Sequence, residues 1–517
     1  MESNAAAVPY SDEWWFKQLY TVMHHSERRL NDKKMSRVEW FDLLWRHYTG
    51  DAPLPDFAPT EKKKAAREVM RMGRANIARL SVTSLLDRIR LKGVHIISND
   101  SADVSGDDGD DGDGSDAARR LMKANARALQ DTFRYAAVMS EGILWISNPT
   151  GDKAVATAED PRQCVTINDP LDPDKVVAAM KIYADDLTKY VYAHVALPAD
   201  ENGEQVERVR VARRKGRSAG LGNSWSAGPW EWVDTLSDEE QKREPKGANL
   251  PVSGRGVFVH RFQFTDDMGL FEPNLDLLNR INNMIVDRLW ISKFQTFRQR
   301  ALQDATEPGS EVDPLPDTDE ETGEKIDYDD LFESDPDAMW KLPQGVKIWE
   351  SQTTDLQPAL LSVRDDIKEF AAVTRTPLTL FVPDAVGGSA EGAALARESQ
   401  VFHADAIIER WNQIVSDVAA NLLVADGQAL DPEAELEPIW LPTERYSLLQ
   451  RSQAALAAKN TGIPQEGIWA DFWQLDPATI ARYKRMRNKD LLFGDTPPAP
   501  QTESEPVTEP ADGPADA

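Results

Sequence analysis

Ser389, in the string GGSAEG, stands where a nucleophilic hydroxyl would sit on a strand-to-helix elbow. That turn is written G-x-S-x-G, and Glu391 occupies the position of its second glycine. Ser389 therefore reads as a helix cap, with Glu391 in the first turn where a carboxylate suits the dipole. A phosphate-wrapping loop needs G-x-x-x-x-G-K-[ST], and GLGNSW (Gly220–Trp225) and GRG (Gly254–Gly256) supply only fragments of it. Histidines at 24, 25, 47, 95, 194, 260 and 403 include no H-x-x-x-H pair, the spacing that places two ligands on one helix face. The run DDGDDGDGSD has the composition of a calcium loop. The twelfth positions counted from Asp108 and Asp111 are Arg119 and Met122, so the bidentate glutamate is missing. Cys164 is alone and can form neither an intrachain disulfide nor a thiolate zinc site. No catalytic group, metal site or cofactor follows from this reading, and the chain reads as no enzyme.

Two basic clusters remain. One is Arg208, Arg210, Arg213, Arg214, Lys215 and Arg217 on a strand running into a turn; the other is Arg482, Lys484, Arg485, Arg487 and Lys489 on the last helix. Either could track nucleic-acid phosphates, with Arg213, Arg214, Lys215, Arg482, Lys484 and Arg485 as candidate contacts. A charged edge strand and a solvated helix face are the plainer readings.

The chain has 517 residues, room for about three to five domains. Its 59 Lys+Arg face 87 Asp+Glu, a net charge of −28. Asp100–Asp116 holds eight acids and no base, Asp304–Trp340 fifteen acids and one Lys, and Asp495–Ala517 six acids and no base. These stretches hold the whole excess, so the rest of the chain is balanced. The opening, MESNAAAVPYSDEWW, has neither the basic nor the apolar region of a secretory signal. No run of roughly 18 apolar residues exists to span a bilayer. The expectation is a soluble chain of a reducing compartment.

The periodicity predicts helices over Asp12–Leu30, Ser36–Tyr48, Glu61–Lys92 (with Gly93 as its C-cap) and Leu121–Met139. From Gly142 to Phe264 the runs ILWIS, QCVTI, AMKIYA, YVYAHVAL, RVRVARR, WEWV and GVFVHRFQF read as short strands, spaced for antiparallel hairpins. Pro273–Gln303 then reads as one helix, about 45 Å long at 1.5 Å per residue. The acidic stretch, the strand-like GVKIWE, and a helix over Leu356–Thr374 follow. After LTLFVPDAVGGS come a helix to about Leu423 and final helices over Glu444–Asn460 and Ala478–Lys489.

Two long helices around a small polar segment, then a Pro/Gly loop and a further long helix: this order resembles the portal (head-to-tail connector) proteins of tailed bacteriophages, particularly those of actinobacterial phages. Local strings carry the resemblance. YTGDAPLP (Tyr48–Pro55) is similar to the family's Y-x-G-x-x-P-L segment, and NIARLSVTSLLDRIRLKGV (Asn76–Val94) to one of its helix ends. EDPRQ, MGLFEPNLDLLNRIN, TRTP, GGSAEGAALARES and TGIPQEGIW agree in place and character, so the similarity spans roughly residues 10–490. The Asp100–Asp116 loop resembles an insertion, and the segment between the long helices is unusually acidic for the family.

The resemblance implies an α+β, mainly helical subunit of a ring, usually of about twelve copies that close by rotation. It implies a wing over 1–271, stem helices over 272–303 and 351–377, and a clip over 304–350. A tunnel loop over 378–388, a long wing helix with its connection over 389–439, and a crown over 440–494 complete it, with 495–517 a disordered Pro-rich tail. Thr379, Phe381, Val382, Pro383, Asp384, Gly387 and Gly388 would border a channel for double-stranded DNA, passed without regard to base sequence. Lys293, Arg298, Arg364 and Lys368 would line the stem or pair with Asp287, Asp365 or Asp366 across subunits. Asp317, Asp319, Glu320, Glu321, Asp327, Asp329 and Asp330 would form the clip's docking face for the large terminase subunit and later the head-tail adaptor. Major capsid and scaffold proteins are further implied partners, no membrane is, and the place is the virion's portal vertex, reached from the host cytoplasm. Two other readings stay open: a helical scaffold or adaptor unconnected with phages, and a DNA-packaging enzyme subunit, for which neither a P-loop nor a strand-borne carboxylate cluster is visible.

Overall fold

The computed structural model describes residues 8–25, 28–30, 33–54, 64–97, 113–148, 151, 153–198, 206–216, 229–251, 254–296, 300–304, 318, 323, 325, 346–350, 355–382, 390–428, 430–431, 434–444, 448–475 and 477–493. They fall into two compact units, 1–443 and 444–517.

Unit 1 is α+β. Helix α1 (Asp12–His24) starts at Ser11, whose hydroxyl accepts the Trp14 N–H, and buries Trp15, Phe16, Leu19 and Met23 on one side. It ends six residues before Leu30, and Arg28–Leu30 (β1) pairs antiparallel with Lys33–Met35 (β2) instead. Ser36 and Glu39 form a reciprocal capping box for α2 (Arg37–Thr49), which Gly50 closes at φ 81.

The single helix expected over Glu61–Lys92 is two, α3 (Lys64–Met72) and α4 (Ile77–Leu86). The break lies where the chain meets a later helix. A Cβ on Gly73 would stand 2.3 Å from Val286 Cγ2, and the Ala75 N–H donates to Asn282 Oδ1 at 2.9 Å. Gly93 is not a cap: it lies inside strand β3 (Leu91–Ile97). The helix expected over Leu121–Met139 is likewise two, α5 (Asp113–Ala124) and α6 (Ala126–Met139). Asn125 divides them, donating to Leu121 O and accepting the Ala156 N–H, each at 2.9 Å. Helix α5 begins inside the aspartate run, where acids favour a helix N-terminus.

The strand region forms two antiparallel sheets. Strands β4 (Glu141–Ser147), β5 (Val155–Glu159) and β12 (Val259–Gln263) make the smaller, with β4 central. The larger runs β10 (Glu231–Trp232), β9 (Val206–Lys215), β8 (Tyr190–Leu197), β7 (Val176–Asp185), β6 (Cys164–Asn168), with β11 (Ala248–Pro251) also on β9. Alternation along β4 sorts its side chains: Ile143 and Trp145 pack with Cys164, Ala179 and Ala196 between the sheets, while Leu144 and Ile146 join the main helical core. The opposite face of the larger sheet, through Ala178, Met180, Ile182 and Val191, is covered by α1. A short helix, α7 (Asp238–Gln241), lies between β10 and β11.

Helix α8 spans Leu275–Thr296, about 33 Å rather than 45 Å. Residues expected to extend it are strand: β13 (Arg300–Asp304) pairs antiparallel with β14 (Val346–Glu350), Arg300 opposite Glu350 and Asp304 opposite Val346. Partner pairing overrides the local helical preference there. Helix α9 (Gln357–Val373) returns alongside α8. Helix α10 (Ala390–Ala425), about 54 Å long, buries Ile407, Trp411, Ile414, Val415, Val418 and Leu422 at helical spacing. Trp411 stacks on Phe133 at 4.7 Å, at the centre of the core. Strand β15 (Glu435–Trp440) pairs with β3 across most of the chain's length.

Unit 2 contains α11 (Leu448–Asn460), an irregular helical turn over 465–472 and α12 (Pro477–Phe493). Its core is small: Ala455, Ala458 and Ile468, flanked by Phe472 and Trp473.

Candidate channel and docking surfaces

The α8–α9 hairpin is anchored at one end. Leu275, Leu278 and Ile281 of α8 and Phe370 of α9 are buried in the main core. Farther along, Val286 and Val363 are still buried, whereas Met284, Leu289 and Ile291 are only half-buried and Leu361 is 56% exposed. Arg280 on α8 bridges to Asp366 (2.9 Å) and Glu369 (2.6 Å) on α9. Sequence reading missed Arg280, since only the antiparallel return of α9 brings its partners to it. Lys368 pairs with Asp365 at 2.8 Å within its own helix, and Lys293 and Arg364 are exposed. Asp365 and Asp366 thus have partners inside the chain, and Arg298 lies outside the described residues.

After α9, the Thr374 hydroxyl donates to Phe370 O at 2.7 Å, Arg375 turns left-handed at φ 52, and Leu378–Leu380 makes a short 3-10 turn. Phe381 is half-buried, edge-on to Phe370 at 6.1 Å and packed on the main core. Thr379 and Val382 are half-buried beside it; Pro383, Asp384, Gly387 and Gly388 lie outside the described residues. So do Asp317, Asp319, Glu320, Glu321, Asp327, Asp329 and Asp330 of the acidic segment. The β13–β14 ladder brings the two ends of that segment together, and Thr318 bridges Lys325 within it.

The β9 arginines turn inward, contrary to the expected phosphate-tracking edge. Arg213 pairs with Glu244 (2.6 Å) and Glu240 (3.2 Å) and lies over the Tyr190 ring at 4.8 Å. Arg214 is buried over Trp230 at 5.0 Å, on the other face of the strand. Both faces of β9 are covered, so consecutive guanidiniums are both buried. Arg210 bridges Asp12 of α1 (2.6 Å) to Asp234 (2.7 Å), and Arg208 reaches Asp12 at 3.1 Å. Lys215 alone of these described cations is exposed. On α12, by contrast, Arg482, Lys484, Arg485 and Arg487 are all exposed.

A buried clamp also escaped the sequence reading. Glu141 is held by Arg37 and by Arg261 Nε (2.6 Å), while Arg37 Nη1 donates to Pro161 O at 2.7 Å. Burial opposes ionisation of Glu141, yet the two guanidiniums win and hold its carboxyl down to about 2. A cavity of about 460 Å³ opens beside it, lined by Trp40, Phe41 and His25. No spacing signal could reveal Arg37, Glu141 and Arg261, which come from α2, β4 and β12. Burial pushes His260 down to about 3 and His194 to about 4, and raises the Cys164 thiol well above its ordinary value. These groups are kept neutral in the interior. Among the described residues no cluster of three metal-ligating side chains occurs, and no helix is long and apolar enough to cross a membrane.

No family model matches the chain, and no curated protein matches it. Among solved structures, the neck of a native GTA particle computed with C12 symmetry is similar over 83% of this chain and 98% of that chain, with 12% identity and a TM-score of 0.40. The neck of an empty GTA particle computed with C6 symmetry is similar over 80% and 94%, with 13% identity and a TM-score of 0.37. Overlaps this loose leave fold and function to be argued from the chain itself.

Proposed function

We propose that this chain is a portal subunit: copies close into a ring at one capsid vertex, double-stranded DNA passes through the ring, and terminase and then a tail adaptor dock on it. The observation that carries the reading is the α8–α9 hairpin, anchored in the core at one end and leaving Leu289, Ile291 and Leu361 without full cover beyond it. Apolar surface at about 25 cal/mol per Å² is costly to leave in water, and a second copy of the same hairpin is a matching cover. The ordered strings of the sequence resemblance support the same reading. So does the ladder that gathers the acidic segment's ends beyond the hairpin.

In this reading the chain does no chemistry; the packaging motor supplies the energy. Lys293 and Arg364, exposed and sparse along the hairpin, would meet the DNA backbone. Few cations suit passage, because each phosphate contact adds grip and salt dependence. Native mass spectrometry with electron-microscope class averages tests the proposal. The expected result is closed rings with a central hole and about twelve subunits. A chain that stays monomeric or dimeric from low to high salt, alone and with capsid proteins, would overturn it.

A further inference from the structure

Unit 2 carries a strongly charged surface that the channel reading does not use. Helix α12 bears Arg482, Lys484, Arg485, Arg487 and Lys489 in close succession, and every residue from Arg482 to Asn488 is exposed. Contacts tie the helix to the preceding turn. Lys484 reaches Glu466 at 2.7 Å, and the Tyr483 ring meets Trp469 edge-on at 5.9 Å. Arg482 and Arg485 stand three residues apart on a stripe that position 489 continues. Like charges at this spacing repel, so a segment of opposite charge would stabilise the helix.

A segment of that charge begins two residues after the helix: Asp495–Ala517 has six acids and no base. Fully extended, a segment of this length reaches ~75 Å at about 3.3 Å per residue. The helix is ~26 Å long at 1.5 Å per residue, so the carboxylates can lie along all of it. Covalent linkage raises their local concentration to the order of millimolar, ahead of most free polyanions. We propose that the 495–517 segment docks on the basic face of α12, its carboxylates against the Arg482–Arg485 stripe, and screens that face from nucleic-acid phosphates. The proposal stands on unit 2 alone and does not depend on ring formation.

Zero-length carbodiimide crosslinking of the full chain, read by mass spectrometry, tests the contact. Crosslinks from Lys484 or Lys489 to Glu503, Glu505 or Glu509 are expected at low salt. They should fall at least about fivefold in about 1 M salt and in an Arg482→Gln/Arg485→Gln double variant, whose exposed positions leave folding intact. In parallel, removing residues 495–517 should tighten binding of a random-sequence DNA duplex about tenfold at low salt, a gain abolished by the same double variant. No crosslinks between the two segments would overturn the proposal. So would a duplex bound through Arg482 and Arg485 equally well with and without residues 495–517, since the face would then belong to nucleic acid.

Discussion

Glu141 and Glu207 show opposite outcomes for a buried carboxylate. Glu141 sits between two guanidiniums and stays ionised; removing one member of such a buried set costs about 3–5 kcal/mol. Glu141→Gln is therefore expected to lower stability by roughly 3 kcal/mol at neutral pH, measured by urea unfolding. Its folded pKa of about 2 lies below the ordinary 4.5, so its contribution is full above about 4.5 and is lost as pH falls toward 2. Glu207 on β9 is buried with Oε2 unpartnered, and burial pushes its carboxyl up to about 8 despite Lys175 nearby. The folded state holds its proton more tightly than the unfolded, so the stability it contributes declines as pH rises from about 4.5 to about 8. Glu207→Gln should flatten that decline, read as the unfolding midpoint at pH 5 and pH 8. A decline of unchanged steepness would assign the pH dependence to other groups.

At the scale of elements, close backbone approaches fix how helices meet the sheets. A Cβ on Gly142 of β4 would lie 2.1 Å from Thr132 O of α6. Gly142→Ala must push strand and helix apart, and overpacking of this kind costs typically 1–3 kcal/mol; a lowered melting temperature checks it. The α8–α9 hairpin behaves differently, because Arg280, Glu369 and Leu361 are exposed. Arg280→Ala loses only surface ion pairs and should change monomer stability by less than about 1 kcal/mol. Leu361→Asp should leave the circular dichroism spectrum intact but abolish assembly, shifting the particles seen by mass photometry to single chains. A variant that still forms rings would remove this helix face from the interface.

For the whole molecule, the charge map is the useful guide. The acidic excess lies in three segments, and the β13–β14 ladder brings residues 304 and 346, which flank one of them, opposite each other. A segment so acidic favours basic partners, with attraction screened over about 10 Å at 0.1 M salt. On the proposed portal function, neutralising Asp317, Asp319, Glu320 and Glu321 to amides should weaken docking of a terminase and of an adaptor and reduce the salt dependence of both, measured by interferometry across a salt series. Undiminished binding of both partners would remove the acidic face as their docking surface.

Much of the architecture is legible in the amino-acid order. Local signals placed α2 over Ser36–Tyr48, located the strand runs from 142 to 264, and marked the extent of α10, because periodicity and caps act over a few residues. The absence of catalytic motifs and the segregation of charge are likewise sequence properties. Tertiary structure decided where periodicity stops. The break at Gly73 exists because Val286 arrives there, and 300–304 is strand because 346–350 lies beside it. It also decided the fate of the arginines on β9. A run of cations reads as a surface until both faces of the strand are known to be covered; then Arg213 and Arg214 become internal partners for carboxylates and rings, which only the folded chain brings within reach.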